Sequence, residues 1–568
     1  MKARRSLSNR AIRQYRARDV FPYLLLRYFL EGDFARSDDF AMRIAPQIFR
    51  STNHPKYLEI PYFKERDSKG EVQYRSMHMP APSEVLVEAS IIAECSEKAD
   101  IPDRNVCFSY WPTAPGDETG FFQPYMKGLK ARQEAVAEAI RSKPSSTVRY
   151  LDIKKFYPSI TCMRAEQVWQ EFCSGHGISS TSLLAGLHLI KMHERVGDGR
   201  MLTGPMFSHL MGNLILKDLD RKCSKRESRI FRYVDDFILV GGAEVDQDID
   251  WLRDELRECG FEAHDDNSDK SLTVEGADWL ESARDFESGE LSRGWMTLIG
   301  DIKKFLLLKP NDGDELIALL RENGFRLPIR AYQTAVNEAS TFERVRQLKL
   351  WGWFLAKSRG LSAAKILTNA VSLRDKIEGQ ARELLLGEPP SSDFQRKRMA
   401  TKLRYRLGRS LYLSGTDFFE SNLVLATDWP ELEVHFSLMK AMVTGNADHV
   451  VVMGANVAQA AAQLFAASDS AAVFESRIES PAQRVGLSIF IANGVPVRVS
   501  DAIDSPLLQF ATGPVTSGHF DRLTGFLKDA ACLHGIGPAK HSGIMRRAFD
   551  IAEEVHFDAI SLDYGYSF

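Results

Sequence analysis

The stretch FRYVDDFILVG, residues 231–241, sets two adjacent carboxylates between two short apolar segments. Apolar segments that flank an acidic turn predict a β-hairpin, here with Asp235 and Asp236 at its tip. Neighbouring carboxylates repel each other unless a cation or solvent compensates, and their oxygen atoms suit hard divalent cations. The pattern therefore predicts a platform for a metal ion. Its plainer interpretation is a surface hairpin whose turn happens to be acidic.

A second stretch, VRYLDIKKFYPSI at residues 148–160, has the β-branched and aromatic composition of a strand that ends at Asp152. Phe156, Tyr157 and a proline follow that aspartate. In this order the two stretches resemble motifs A and C of reverse transcriptases, where Asp-Ile-Lys-x-Phe-Tyr and Tyr-Val-Asp-Asp carry the metal ligands. The resemblance covers residues 55–310, and it implies an RNA-directed DNA polymerase that polymerises dNTPs.

The resemblance also implies a centre with two Mg²⁺ ions, or Mn²⁺ in their place. Such ions lie about 4 Å apart, one at the 3′-hydroxyl and one at the triphosphate. We expect Asp152 and Asp235 to bridge the metals, the carbonyl of Ile153 to add a ligand, and Asp236 to support them. Lys270, after a polar turn at residues 265–269, matches the lysine held in this family to protonate the leaving pyrophosphate.

The aromatic pair after Asp152 predicts which sugar the enzyme accepts. RNA-dependent RNA polymerases place a second aspartate five residues after the first, where it can bond the ribose 2′-hydroxyl. This chain has Tyr157 there, and its ring would clash with that hydroxyl. We therefore expect Phe156 and Tyr157 to contact the nucleotide, with a preference for deoxynucleotides that Tyr157→Ala or Tyr157→Val relaxes.

Two further segments resemble nucleotide-binding parts of the same family. A hairpin predicted over residues 57–63 and 72–79 resembles the fingers, which implies that Lys64 and Arg75 clamp the triphosphate. A charged surface hairpin remains the alternative for Lys64. The turn at Thr203 and Gly204 resembles motif B and implies contact with the nucleotide. Leu202 stands where that motif usually has proline, which leaves the detailed template contact open.

The order strand, helix, hairpin, helix, strand predicts a ferredoxin-like palm, with short strands over residues 261–264 and 271–275 on either side of the polar turn at 265–269. From Trp295 onward, helical periodicity with recurring glycine breaks predicts stacked helices that resemble HEAT-type repeats. The predicted fold class is therefore α+β, with reverse-transcriptase fingers and palm followed by an all-α HEAT-like domain in place of a thumb. The predicted domains are a basic helical segment at residues 1–50, the fingers and palm at 51–310, and the helical domain at 311–568.

Two basic segments are candidates for nucleic-acid contact. Arg398, Lys402 and Arg406 form a stripe on a helix predicted over residues 394–413, and such a stripe can follow a phosphate backbone. A solvated face over an apolar core stripe is the alternative. The chain also begins with an acid-free basic segment before Asp19. That segment is compatible with a transit peptide, a nucleic-acid-binding helix or a solvated helix face.

The composition restricts the remaining classes of function. A net charge of −3 over 568 residues excludes a uniformly basic nucleic-acid-binding protein, so any phosphate contact must come from local patches. The seven cysteines form no Cys-x-x-Cys pair, which argues against a zinc site or disulfide scaffold and fits a reducing bacterial cytoplasm. No apolar run reaches the length of a membrane span, so no membrane partner is expected.

The helical second half indicates which subfamily of reverse transcriptases the chain resembles. No ribonuclease H, endonuclease or integrase-like segment follows the palm, which argues against retroviral polymerases and nuclease-carrying group II intron enzymes. A palm that runs through Trp-x-x-Leu-Ile at residues 295–299 directly into helical repeats resembles the abortive-infection and unknown-group reverse transcriptases of bacterial antiviral defence. That resemblance implies a homo-oligomer, an RNA template or DNA product as partner, a non-coding RNA as a further candidate, and synthesis that is templated, untemplated or protein-primed. Two alternatives remain: a retron-like templated enzyme acting on a structured RNA, and a non-enzymatic helical scaffold with a vestigial palm.

Overall fold

A four-stranded antiparallel sheet lies at the centre of the first half of the chain. The computed structural model describes residues 57–99, 101–114, 120–266, 270–287, 290–327, 360–387 and 392–500, together with isolated positions. Within these ranges the protein is a mixed α+β structure. Up to residue 287 its elements are β1 (Tyr57–Arg66), β2 (Val72–Pro80), α1 (Pro82–Lys98), α2 (Tyr125–Ser142), β3 (Thr147–Asp152), α3 (Phe156–Ser159), α4 (Cys162–His176), α5 (Ser180–Val196), α6 (Met206–Cys223), β4 (Arg229–Tyr233), β5 (Asp236–Gly241), α7 (Val245–Glu258), β6 (Thr273–Glu275) and α8 (Gly276–Glu287).

The central sheet has the strand order β4-β5-β3-β6, and every pair in it is antiparallel. The strands of this sheet are apolar because their side chains are buried between packed helices, as at Val148, Leu151 and residues 237–240. Helices α2, α7 and α8 pack against the sheet. Helix α6, whose apolar residues run all the way round, is almost wholly buried and forms the core next to it.

Several predicted boundaries differ from the observed ones. The strand predicted over residues 261–264 is reduced to one bridge between Ile153 and Ala263, and the strand predicted over 271–275 is only β6. Short polar strands such as these form only where a neighbouring strand offers a partner, which local composition does not specify. The predicted hairpin of β1 and β2 is present and antiparallel.

Of the basic segment at residues 1–50, only positions 7, 10, 11, 14 and 15 are among the described residues, and all five are helical. The rest of that predicted segment lies outside the described part. Arg10 is buried, and its guanidinium donates to the Gly120 carbonyl at 3.1 Å and to Thr113 Oγ1 at 2.8 Å. This arginine therefore links Thr113 to Gly120 and does not face solvent.

The second half is built from helices that pack mainly against their neighbours in sequence. Its described elements are α9 (Glu290–Leu308), α10 (Gly313–Glu322), α11 (Ala363–Leu386), α12 (Asp393–Leu413), α13 (Thr416–Leu423), α14 (Glu433–Thr444), α15 (Asp448–Val451), α16 (Ala455–Ser468), β7 (Ala472–Phe474), α17 (Pro481–Ala492) and β8 (Val497–Val499), with 3-10 turns at Pro310–Asp312 and Pro430–Leu432. Nearly all of residues 501–568 lies outside the described part.

The prediction of an all-α second half was wrong in one respect. Strands β7 and β8 form a parallel pair, with Ala472 opposite Val497 and Phe474 opposite Val499. Three-residue strands are too short to show a period in the sequence, and their pairing depends on α17, which brings the two segments together. Among the described helices, none is long and apolar enough to cross a membrane.

Candidate functional site

Three aspartates meet at one end of the central sheet. The antiparallel register of β3 and β5 places Asp152 directly opposite Asp236. The backbone N–H of Ile153 donates to the carbonyl of Asp235 at 3.0 Å, which ties the end of β3 to the hairpin tip. The two sequence stretches that predicted carboxylates are therefore brought together by strand pairing.

The carboxylates of Asp152 and Asp235 are electrostatically strained. Burial raises the pKa of Asp152, and the neighbouring charges of Asp235 and Asp236 raise it further. Burial also raises the pKa of Asp235, again with a contribution from Asp236. Negative charge concentrated in a partly desolvated site favours a cation or a proton there.

Arg75 and Lys270 are the two predicted cations that act on this carboxylate pair. Each of them lowers the pKa of Asp152 and of Asp235, which places both positive charges near the site. Arg75 comes from β2, where it lies opposite Tyr62 of β1. Lys270 comes from the segment just before β6. The site therefore combines two carboxylates with two cations from distant parts of the chain.

Lys64 has a different environment from Arg75. It is exposed, and its ammonium forms an ion pair with Glu65 at 2.6 Å. The register of β1 and β2 shifts between Phe63 and Glu65, so Lys64 lies at an irregularity of the hairpin. Nothing among the described contacts links Lys64 to the three aspartates.

Asp236 is held by a residue that sequence reasoning missed. Arg132 of α2 is fully buried, and its Nη1 donates to Asp236 Oδ2 at 2.7 Å. The same guanidinium lies 5.5 Å from the ring centre of Tyr233. This ion pair already engages one oxygen of the Asp236 carboxylate. The sequence contained one signal for this residue: Arg132 lies on the same helical face as the apolar residues Val136 and Ile140.

The hairpin tip adopts a strained turn that buried groups hold in place. Tyr233 pairs with Asp236, and Val234 between them has a left-handed φ of 57°. A β-branched residue rarely adopts this conformation unless its surroundings impose it. Ser109 Oγ accepts from the N–H of Val234 at 2.8 Å, and Arg232 Nη1 donates to the Val234 carbonyl at 2.8 Å.

Arg232 is itself fixed by a buried ion pair. Both Arg232 and Asp220 are fully buried, and they are joined by two hydrogen bonds of 2.7 and 2.5 Å. Two parallel bonds orient the guanidinium more strictly than one can. Helix α6 thus supports the turn that carries Asp235.

The aromatic pair after Asp152 packs against α6. Phe156 and Tyr157 are buried, and a Cβ at Gly212 of α6 would lie 2.9 Å from Phe156 Cε1. The Tyr157 hydroxyl is 2.7 Å from His209 Nδ1, a partner that sequence reasoning did not identify. Thr203 and Gly204 lie just before α6, where the Thr203 carbonyl accepts from the N–H of His78 at 2.8 Å. They thus connect the β1–β2 hairpin to α6.

The predicted basic stripe on α12 is not a continuous solvent-facing surface. Arg398 is 5% exposed, and its guanidinium lies 5.8 Å from the Trp279 ring centre. Arg406 is partly buried and donates to Gln380 Oε1 at 3.1 Å and to the carbonyl of the third stripe residue, Lys402, at 3.0 Å. Arg398 is buried because α12 packs on α8 at this point, and helical periodicity does not reveal that contact.

The oxygen donors at the site fit Mg²⁺ better than a transition metal. Across the described ranges, no group of three or more His, Cys, Asp or Glu side chains is placed to hold a metal ion. Mg²⁺ binds through one or two carboxylates and retains water and substrate phosphates as its other ligands. Asp152 and Asp235 supply carboxylate oxygens of that kind, and the carbonyl of Ile153 stays a predicted ligand. Burial is the first cause of the raised pKa of both carboxylates, and the neighbouring charge of Asp236 adds to it.

No protein-family model matches the chain, and no curated protein sequence matches it either.

Proposed function

We propose that this protein is a reverse-transcriptase-like nucleotidyltransferase that joins dNTPs into DNA. The observation that carries the proposal is the pairing of β3 with β5, which sets Asp152 beside the Asp235–Asp236 tip within reach of Arg75 and Lys270. The strand order β4-β5-β3-β6 supports it, because a β-α-β-β-α-β palm has this order. From the sequence resemblance, we assign the β1–β2 hairpin to the fingers and the start of α6 to motif B.

The residues have separate roles in the proposed reaction. Two Mg²⁺ ions, when bound, would activate the 3′-hydroxyl and neutralise the triphosphate charge. Asp152, Asp235 and the carbonyl of Ile153 would hold them, and Asp236 would stay paired with Arg132. Arg75 would orient the triphosphate through charge-assisted hydrogen bonds, and Lys270 would donate a proton to the departing pyrophosphate. Phe156 and Tyr157 would form the surface against the sugar.

The biological setting follows from the sequence resemblance alone. We propose antiviral abortive infection in a bacterial cytoplasm, with the helical half in place of a thumb and a homo-oligomer as the working form. Templated, untemplated and protein-primed synthesis are all compatible with the site. The retron-like and scaffold alternatives remain outcomes of the experiment below.

The decisive experiment incubates the purified protein with each dNTP separately in Mg²⁺, then sequences the product before and after protease treatment. We expect incorporation by the wild type and a loss of at least about a hundred-fold in Asp152→Asn and Asp235→Asn, because each removes a metal ligand. Asp218→Asn, an exposed aspartate on α6, is the matched control and should retain activity. A co-purified structured RNA that determines the product sequence would support the retron-like alternative.

Full incorporation by either site variant would refute the assignment of the metal ligands. Absence of Mg²⁺-dependent incorporation of any dNTP by the folded wild type would support the scaffold alternative. Thermal unfolding of each variant separates loss of chemistry from loss of fold.

A further inference from the structure

Tyr157 is joined to α6 by a buried hydrogen bond. Its hydroxyl lies 2.7 Å from Nδ1 of His209, and their ring centres are 5.5 Å apart. Tyr157 is 8% exposed and His209 is 5% exposed, so water is nearly excluded from the bond. The two residues come from different elements, α3 and α6, whose relative position this contact constrains.

His209 is in turn fixed by aromatic neighbours. Its ring stacks on Tyr110 with centres 3.9 Å apart and an angle of 9° between planes, and Phe122 meets it edge-on at 6.4 Å. Tyr110 has a left-handed φ of 50°, a conformation that a bulky residue adopts only when its surroundings require it. The imidazole is therefore held in one orientation, with Nδ1 directed at the Tyr157 hydroxyl.

We propose that His209 is a positioning residue that fixes the ring of Tyr157 and thereby sets the discrimination between deoxynucleotides and ribonucleotides. The inference rests on the proposed function, in which Tyr157 lies against the sugar. A ring excludes a 2′-hydroxyl only if it cannot rotate away. Here rotation would break the buried bond to His209 in a place from which water is nearly excluded, which is unfavourable.

The apolar contacts around Tyr157 and its hydrogen bond to His209 constrain the ring in different ways. A Cβ at Gly212, one turn after His209 on α6, would lie 3.5 Å from Tyr157 Cε1, so the helix backbone borders one edge of the ring. Phe156 packs against the ring with centres 5.0 Å apart. These apolar contacts limit where the ring lies but do not direct its hydroxyl. The bond to His209 is a directional contact, and it orients that hydroxyl.

The test is a double-mutant cycle with Tyr157→Phe, His209→Phe and the double variant. Each substitution removes the hydrogen bond and keeps an aromatic ring in place. The measured quantity is the ratio of kcat/KM for a dNTP to kcat/KM for the matching rNTP. We expect each single variant to lower this ratio about three- to ten-fold, and the double variant to lower it no further, because both remove the same bond.

Two further variants separate this role from general damage. His209→Asn places an amide near the position of Nδ1. It should therefore keep at least half of the discrimination that His209→Phe loses. His176→Phe makes the same substitution on α4, where His176 packs on Phe172 at 4.6 Å, and should leave the ratio unchanged. The relaxed discrimination should show as a lower KM for the rNTP, which loss of fold would not produce.

Wild-type discrimination in His209→Phe, or effects of the two single variants that multiply in the double variant, would overturn the inference. If the wild type incorporates no nucleotide at all, the proposed function itself fails. If it incorporates dNTPs and the His209 variants discriminate as the wild type does, only the role of His209 fails.

Discussion

A single buried acid, Glu88 of α1, joins three segments that are far apart in the sequence. Its Oε2 accepts from the Tyr15 hydroxyl at 2.9 Å and from the N–H of Met206, the first residue of α6, at 2.9 Å. Burial raises the pKa of Glu88 from 4.5 to about 8, although those hydrogen bonds lower it. At neutral pH the folded protein therefore holds Glu88 largely in its protonated form.

The raised pKa of Glu88 predicts a specific dependence of the free energy of unfolding on pH. The folded state keeps a proton on Glu88 that the unfolded chain releases, so Glu88 lowers stability as pH rises from 4.5 to about 8. The slope is about 1.4 kcal/mol per pH unit in that window, with no further change above it. Glu88→Gln is neutral throughout, so its stability relative to the wild type should rise with pH across the window.

Denaturant unfolding at several pH values measures this difference. Glu97→Gln, an exposed glutamate on the same helix, is the matched control for the substitution itself. A stability difference between Glu88→Gln and the wild type that does not change with pH would show that Glu88 is ionised in the folded protein.

At the scale of elements, the β1–β2 hairpin is anchored to the helical half. Asn456 Oδ1 of α16 accepts from the N–H of Phe63 at 3.1 Å, and the Tyr74 hydroxyl donates to the carbonyl of Val452. Gly454 approaches the hairpin so closely that a Cβ there would lie 2.6 Å from the Pro61 carbonyl oxygen. Tyr74 pairs with Phe63 and directly precedes Arg75, so these contacts hold the strands that carry Arg75.

If Arg75 orients the triphosphate, loosening this anchor should weaken nucleotide binding. We expect Asn456→Ala to raise KM for dNTP about three- to ten-fold with a smaller change in kcat, because one hydrogen bond to the hairpin is lost. Asn456→Asp keeps an acceptor at the same position and serves as the conservative control. Steady-state incorporation kinetics measure both, and an unchanged KM in Asn456→Ala would contradict the anchoring role.

At the scale of the whole molecule, the two halves share a core. Phe394 of α12 is buried in the apolar cluster beneath the central sheet, with Tyr150 of β3 and Trp279 of α8. Trp279 Nε1 donates to the Tyr150 hydroxyl at 2.6 Å, two residues before Asp152. The helical half therefore supports the strand that carries a proposed metal ligand.

This shared core predicts cooperative unfolding. Phe394→Ala should destabilise the protein by about 3 kcal/mol through the lost burial and the cavity it leaves. Because the cluster belongs to both halves, the unfolding transition should shift as a whole. Gln395→Ala, at an exposed neighbouring position, is the control. Calorimetry that resolves one shifted and one unshifted transition would show that the halves unfold independently.

The sequence by itself determined the local features of this protein. Alternating apolar segments and turn residues predicted the β1–β2 and β4–β5 hairpins, and the two Asp-bearing stretches identified Asp152, Asp235 and Asp236. These features are local because strand composition and turn chemistry depend on neighbouring residues. The predicted roles of those residues in catalysis stay predictions.

Only the tertiary structure decided which partners the polar side chains have. Arg132 is 104 residues from Asp236, and His209 is 52 residues from Tyr157, yet each pair is in hydrogen-bond contact. Arg398, which the sequence placed on a basic stripe, is buried against Trp279 of α8. The physical reason is the same in all three cases: the partner of a polar side chain is set by how distant elements pack, and no local period records it.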